Sequence, residues 1–227
     1  MLKNSLNNKV IIVAPHPDDE TLGIGGTLLK HKANNDDVYC IFVTNIDEKH
    51  GFDKEIVNQR QIEIDKVSKL YGFNKIYKLN FPTATLTQKD MFDLISKISN
   101  IFKDIEPNII YLPNKFDVHS DHRIIFDATY SCTKSFRYPY IKKILMYETV
   151  SETEFGSGSA FLPNYFVNIS EYLNKKIEIM KIYKSEVQEF GQPRSLENIK
   201  ALAIFRGSMI NAKYAEAFHL IKEICYF

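Results

Sequence analysis

Two short polar segments hold the residue types from which a hydrolytic metal centre is built: His16-Pro-Asp-Asp-Glu20 and His119-Ser-Asp-His122. A catalytic zinc usually takes three protein ligands from His, Asp, Glu or Cys and keeps a fourth position for water. His16, Asp19 and His122 supply such a set. A zinc so held lowers the pKa of its water to roughly 7 and polarises a carbonyl placed beside it, and amide hydrolysis needs both effects. The reaction also needs a base for the water proton and an acid for the leaving nitrogen. Asp18, next to a ligand and free to face the other way, is the candidate base. His119, as imidazolium, would stabilise the oxyanion and protonate the departing amine, with Asp121 holding its ring in orientation.

Taken singly, these pieces have plainer readings. Asp18, Asp19 and Glu20 at the start of a helix read equally as a cap and a first turn that complements the helix dipole. His119 and His122 alone read as a solvated polar loop. The metal reading gains its weight from where the two segments fall among the elements.

Val10 to Ala14 is a short β-branched run stopped by Pro15, the pattern of a strand buried on both faces. A helix follows over 19–32. The alternation continues with strands over 38–44, 75–79, 108–112 and 141–147, and with helices over 54–71, 88–105 and 121–136. In the 88–105 segment Met91, Leu94, Ile95, Ile98, Ile101, Phe102 and Ile105 lie at helical spacing and make one apolar face. Strands separated by helices of this length predict right-handed β-α-β units, an α/β fold with a mostly parallel sheet and helices on both faces. In such a sheet ligands gather beyond the carboxyl ends of the strands, and both polar segments fall at such ends. Glu148 to Pro163, with Gly156, Ser157, Gly158 and Ser159, has no sustained periodicity and reads as a surface loop at the rim of a site. A short strand near 165–169 and a helix over 171–184 follow; the apolar C-terminal part carries no clear pattern. Gly23, Gly25 and Gly26 have the wrong spacing for a nucleotide loop and point to close helix packing.

The 227 residues, 44% of them hydrophobic, suffice for one core and are read as a single domain. With 29 Lys+Arg against 28 Asp+Glu there is no field of one sign to hold a polyanion, so nucleic acid is not an expected partner. Cys40, Cys132 and Cys225 are odd in number and scattered, which fits a reducing cytoplasm. The apolar run 10–14 is far below the ~20 residues of a spanning helix, so no membrane span is expected.

Ala14-Pro-His-Pro-Asp-Asp-Glu20 with Thr21-Leu-Gly-Ile-Gly-Gly-Thr27 resembles the signature of the PIG-L (LmbE-like) zinc-dependent de-N-acetylases. Arg60 and Glu63, Asp117-Val-His-Ser-Asp-His-Arg123, Arg206-Gly207 and Ala215-Glu-Ala-Phe218 continue the likeness in order along nearly the whole chain. The resemblance implies a Rossmann-like fold and removal of an acetyl group from an N-acetylglucosamine-containing molecule. It implies His16, Asp19 and His122 as ligands of Zn2+, with another divalent transition metal such as Fe2+ as the alternative, Asp18 as base and His119 as oxyanion stabiliser. It further implies Arg60 in substrate binding, its fork suited to a phosphate or carboxylate. Arg194, Arg206 and Asp117 join it as substrate-binding candidates. A homo-oligomer is compatible with the family, although no isolated apolar stripe offers an interface.

The segment from Tyr147 to Phe155 and then Phe161-Leu-Pro-Asn164 resembles a bacterial branch tied to surface polysaccharides and sugar nucleotides, in which histidine often stands where this chain has Gln192. The expected substrate is therefore a small N-acetyl sugar conjugate, nucleotide-linked or otherwise phosphate-bearing. An N-acetylglucosaminyl-malate thiol precursor is the runner-up. A metal-free Rossmann-like nucleotide-binding protein or methyltransferase is the reading from another class.

Overall fold

The computed structural model describes residues 7–225. Its centre is β1 (Lys9–Ala14), whose five residues from Val10 on are completely buried. Val10, Ile12 and Ala14 point into one apolar layer and Ile11 and Val13 into the other, so a single strand seeds both halves of the core. Fully burying one such side chain contributes about 1.5–3 kcal/mol. That is why an unbroken β-branched run, and not an alternating one, marks this strand.

Around β1 the chain lays down α1 (Asp19–Ala33), β2 (Asp37–Asn45), α2 (Lys54–Tyr71), β3 (Lys75–Pro82), α3 (Met91–Ile105), β4 (Ile109–Pro113), α4 (Ser120–Ser131) and β5 (Lys143–Tyr147). Then come β6 (Tyr165–Asn168), α5 (Leu173–Met180), α6 (Leu196–Ser208) and β7 (Ala215–Glu223). The sheet order is β3-β2-β1-β4-β5-β7-β6. The first five strands pair in parallel, and β7 runs antiparallel to both β5 and β6. Residues of α1, α2, α5 and α6 pack on one face, those of α3 and α4 on the other. The α/β class with a mostly parallel sheet and two helical layers is the predicted one. Successive strands move outward from β1 to β3, and the chain then returns to place β4 on the other side of β1. The strand order reverses there, so the crevice lies between the carboxyl ends of β1 and β4.

Several boundaries differ from expectation. The helix begun near Asp121 stops at Ser131, where Ser131 and Thr133 turn their hydroxyls back to the carbonyls of Asp127 and Tyr130 and compete with the helical ladder. The helix expected over 171–184 is confined to α5, after which Tyr183 drops into the core. The unpatterned C-terminal part supplies α6 and β7. The glycines of α1 act as packing contacts: a Cβ on Gly23 would stand 2.3 Å from the Tyr147 ring, and one on Gly26 would stand 2.8 Å from Ile169. No helix among the described residues is long and apolar enough to cross a membrane.

Candidate active site

The turn from β1 into α1 carries the first polar segment, and its backbone is strained. Asp18 has φ 141°, a left-handed value that non-glycine residues rarely adopt. A buried network over-determines it. The Asp18 N–H donates to Glu20 Oε2 at 3.0 Å, and Glu20 Oε1 accepts from the Thr21 hydroxyl at 2.7 Å and the Tyr183 hydroxyl at 2.9 Å. Burial pushes the Glu20 carboxyl up to about 7 against those hydrogen bonds. The turn from β4 into α4 carries the second segment, with His119 as the helix cap.

The two turns bring His16, Asp19 and His122 together, their ligand atoms within 4.8 Å of one another. His16 Nδ1 and His122 Nε2 each stand 3.3 Å from Asp19 Oδ2. His122 is fully buried, and its Nε2 makes no hydrogen bond of good geometry. A buried ring nitrogen facing a carboxylate and a second imidazole is what a metal ligand looks like without its ion, so these donors fit a divalent transition metal. The outward nitrogens fit as well: His122 Nδ1 lies 2.8 Å from Asp117 Oδ2, and His16 Nε2 lies 3.2 Å from Asp121 Oδ2. Each candidate ligand histidine is thus oriented by a carboxylate behind it. Burial opposes charge on His16, but the Asp121 and Asp19 carboxylates win and raise it to about 9. Burial likewise opposes His122, which Asp19 and then Asp117 hold well above its ordinary value. Asp19 is held below the carboxylate range, its burial outweighed by the two histidines.

Two expectations, for Asp121 and for Asp117, are corrected here. The Asp121 carboxylate orients His16 and accepts from the Ala84 and Leu86 N–H groups, while His119 is fixed by the Asp121 backbone, whose N–H donates to His119 Nδ1 at 3.1 Å. With Nδ1 an acceptor, the neutral His119 carries its proton on Nε2. Burial, then the charges of His16 and His122, lower His119 to about 4, which favours its neutral imidazole form. Asp117 is fully buried and its carboxylate is taken up by His122, Asn114 and Thr153, which removes it from the substrate-binding candidates.

Asp18 opens with His16, Arg60, His119, Glu186 and Arg194 on a cavity of about 480 Å³. Burial, followed by the charges of Asp19 and Glu186, raises the Asp18 carboxyl well above its ordinary value against Arg194 and His16. Arg60 and Arg194 do line this cavity, but both guanidiniums are paired with Glu186. Arg206 does not reach it. It lies in a larger groove of about 880 Å³ between the 148–163 loop and α6, gripped by Glu148 through bonds of 2.8 and 2.6 Å. Gln192 borders an adjoining hollow and not the cavity that Asp18 lines. The 148–163 loop forms a rim: Thr149, Ser151 and Glu152 face the cavity, and Gly156 and Gly158 let it lie on Phe116. Sequence reasoning missed the roles of Glu186, Thr153 and Asn114: Glu186 lies in a segment with no readable motif, and Thr153 and Asn114 fall in segments that it singled out without giving either residue a role.

Residues 11–133 match the PIG-L family, described as GlcNAc-PI de-N-acetylase, and the chain belongs to that family. The diacetylchitobiose deacetylase of Thermococcus kodakarensis is 24% identical over 226 residues, 95% of this chain and 84% of its own length. A deacetylase of Escherichia coli K12, YaiS, is 28% identical over 192 residues, 81% of this chain and 96% of its own. The structure of GalB, the 4-carboxy-2-hydroxymuconate hydratase of Pseudomonas putida KT2440, superposes with a TM-score of 0.74 at 14% identity, covering 96% of this chain and 98% of that one. That likeness speaks for the fold alone. Family and relatives make the chain a hydrolytic N-deacetylase.

Proposed function

We propose that the chain hydrolyses the N-acetyl amide of an amino sugar at a divalent ion held by His16, Asp19 and His122, with Zn2+ the metal that two imidazoles and a carboxylate suit and Fe2+ the alternative. The observation that carries this reading is the orphaned, fully buried His122 Nε2 aimed at Asp19 beside His16. A bound ion would supply Lewis acidity to the amide carbonyl and acidity to a water. The remaining work falls to side chains. Asp18, buried and raised in pKa, takes the water proton and, as a carboxylic acid, returns it to the leaving amine. Neutral His119 donates its Nε2–H to the carbonyl oxygen as charge develops there, and burial, the first cause of its lowered pKa, favours that neutral form. A metal-free nucleotide site would have no use for two histidines each backed by a buried carboxylate.

A nucleotide-linked or other phosphate-bearing carrier, as in surface-polysaccharide synthesis, would call on Arg60 and Arg194, and so would a malate conjugate. Both arginines are already bound by Glu186, which favours an uncharged carrier. The test is elemental analysis after mild purification, together with acetate release from free, nucleotide-linked and lipid-linked N-acetyl sugars. We expect about one equivalent of a divalent transition metal and release of acetate; His122→Ala should lose both. Wild type without a transition metal would sink the proposal.

A further inference from the structure

We infer that Glu186 sets the charge specificity of the site, excluding substrates whose carrier bears a phosphate or carboxylate next to the N-acetyl sugar. This rests on the deacetylase reading. Glu186 stands in the segment after α5 and spans the cavity wall: its Oε1 meets Arg60 Nη2 in a close ion pair, and its Oε2 accepts from Arg194 Nη1 at 3.0 Å. Two guanidiniums on two oxygens of one anion is the arrangement a bound phosphate or carboxylate would adopt. The chain's own carboxylate therefore occupies the place in the cavity wall where two guanidiniums would otherwise receive a substrate anion.

The surroundings reinforce the exclusion. Arg60 also donates from Nη1 to the Pro17 carbonyl at 3.2 Å and from Nη2 to the Ser185 hydroxyl at 2.8 Å, while its buried Nε makes no hydrogen bond and stands 3.6 Å from Glu63 Oε2. Arg194 Nη1 is also 3.6 Å from Asp18 Oδ2. Among the described residues lining the cavity there is no lysine, and the two arginines share that lining with the carboxylates of Asp18, Asp19, Glu152 and Glu186. In the neighbouring groove Arg206 is the one lining cation among the described residues and is held fork to fork by Glu148. With side chains of Arg60 and Glu186 only 11% and 17% exposed, opening the pair would strand a largely buried charge, and an incoming anion would have to offset that loss. A saccharide with hydroxyl groups at this wall meets no such barrier.

The test titrates inorganic phosphate into metal-loaded wild type and Glu186→Gln by calorimetry, and compares acetate release from N-acetylglucosamine and its 1-phosphate. The expected result is weak phosphate binding by wild type, at least about tenfold tighter binding by Glu186→Gln, and a shift of similar size in kcat/KM toward the phosphate ester. Adding Arg60→Gln to Glu186→Gln should abolish the gain. Three results would overturn the inference: wild type binding phosphate as tightly as the variant, wild type preferring the phosphate ester, or a gain that survives Arg60→Gln and so places phosphate elsewhere. Should Glu186→Gln fail to fold, the two wild-type measurements decide alone. Release of acetate from neither sugar would count against the deacetylase reading, while the phosphate titration would still decide the role of Glu186.

Discussion

Two buried clusters of opposite charges meet α1, one at its N-terminus and one between Leu22 and Thr27, and they are built on opposite rules. In one, Lys176 of α5 meets Glu216 of β7 at 2.7 Å, both nearly inaccessible. Glu216 also accepts from the Gly26 and Thr27 N–H groups and the Thr27 hydroxyl, and Lys176 donates to the Leu22 carbonyl as well. In the other, His122 Nε2 is left without a proper hydrogen bond, Asp18 sits at a strained φ, and Asp18 and Asp19 crowd together. A fully satisfied pair locks α1, α5 and β7 around one point. An unsatisfied, convergent set is held open for something the chain itself does not supply.

The largest effect expected from breaking this contrast is on the unsatisfied side. Asp18→Asn should lower turnover by about 10²–10⁴-fold, the usual worth of a general acid–base group, while keeping the metal. It should also leave the protein as stable as wild type or more so, because it removes a buried carboxylate whose charge is opposed by burial and by Asp19. Acetate release, metal content and thermal melts on one preparation check all three. Wild-type turnover would remove Asp18 from the base role.

Lys176→Met should do the reverse. Stranding Glu216 without its counter-ion costs about 3–5 kcal/mol, a drop of roughly 6–20 °C in Tm for a domain of this size. Turnover per folded molecule and metal content should hardly change. Loss of metal at unchanged Tm would show that this pair belongs to the site after all.

The same contrast explains what was legible in the sequence. The β1–α1 and β4–α4 turns could be read because few residue types ligate metals, and both clusters fall at strand ends. Strand β7 could not, because Glu216 interrupts an apolar stretch in the manner of a turn; only Lys176, forty residues earlier and itself in a helix, makes that carboxylate a core residue. Asp117 and Asp121 were legible as site residues but not in their roles, since which nitrogen each carboxylate faces depends on the ring rotation of His122 and His16. Glu186 was invisible for a simpler reason. Its importance comes from two arginines brought to it by α2 and by the turn before α6.

The smallest effect separates orientation from ligation. Asp117→Asn should weaken metal binding by about 10–100-fold, the range for a carboxylate behind a ligand histidine. It should also change the pH dependence in a definite direction. In the metal-free protein His16, raised to about 9, and His122, raised by Asp19 and Asp117 against burial, both carry protons at neutral pH. Metal uptake must expel those protons, so wild-type affinity climbs as pH rises toward 9 and falls as the pH drops. Removing the Asp117 charge takes away one of the contributions that raise His122, so the variant should release fewer protons at pH 7 and show a flatter pH profile. Calorimetry in two buffers of different ionisation enthalpy counts the protons directly. Equal proton release by both proteins would mean that Asp117 holds the ring in place without tuning it, and that the contrast between satisfied and convergent clusters stops at His122.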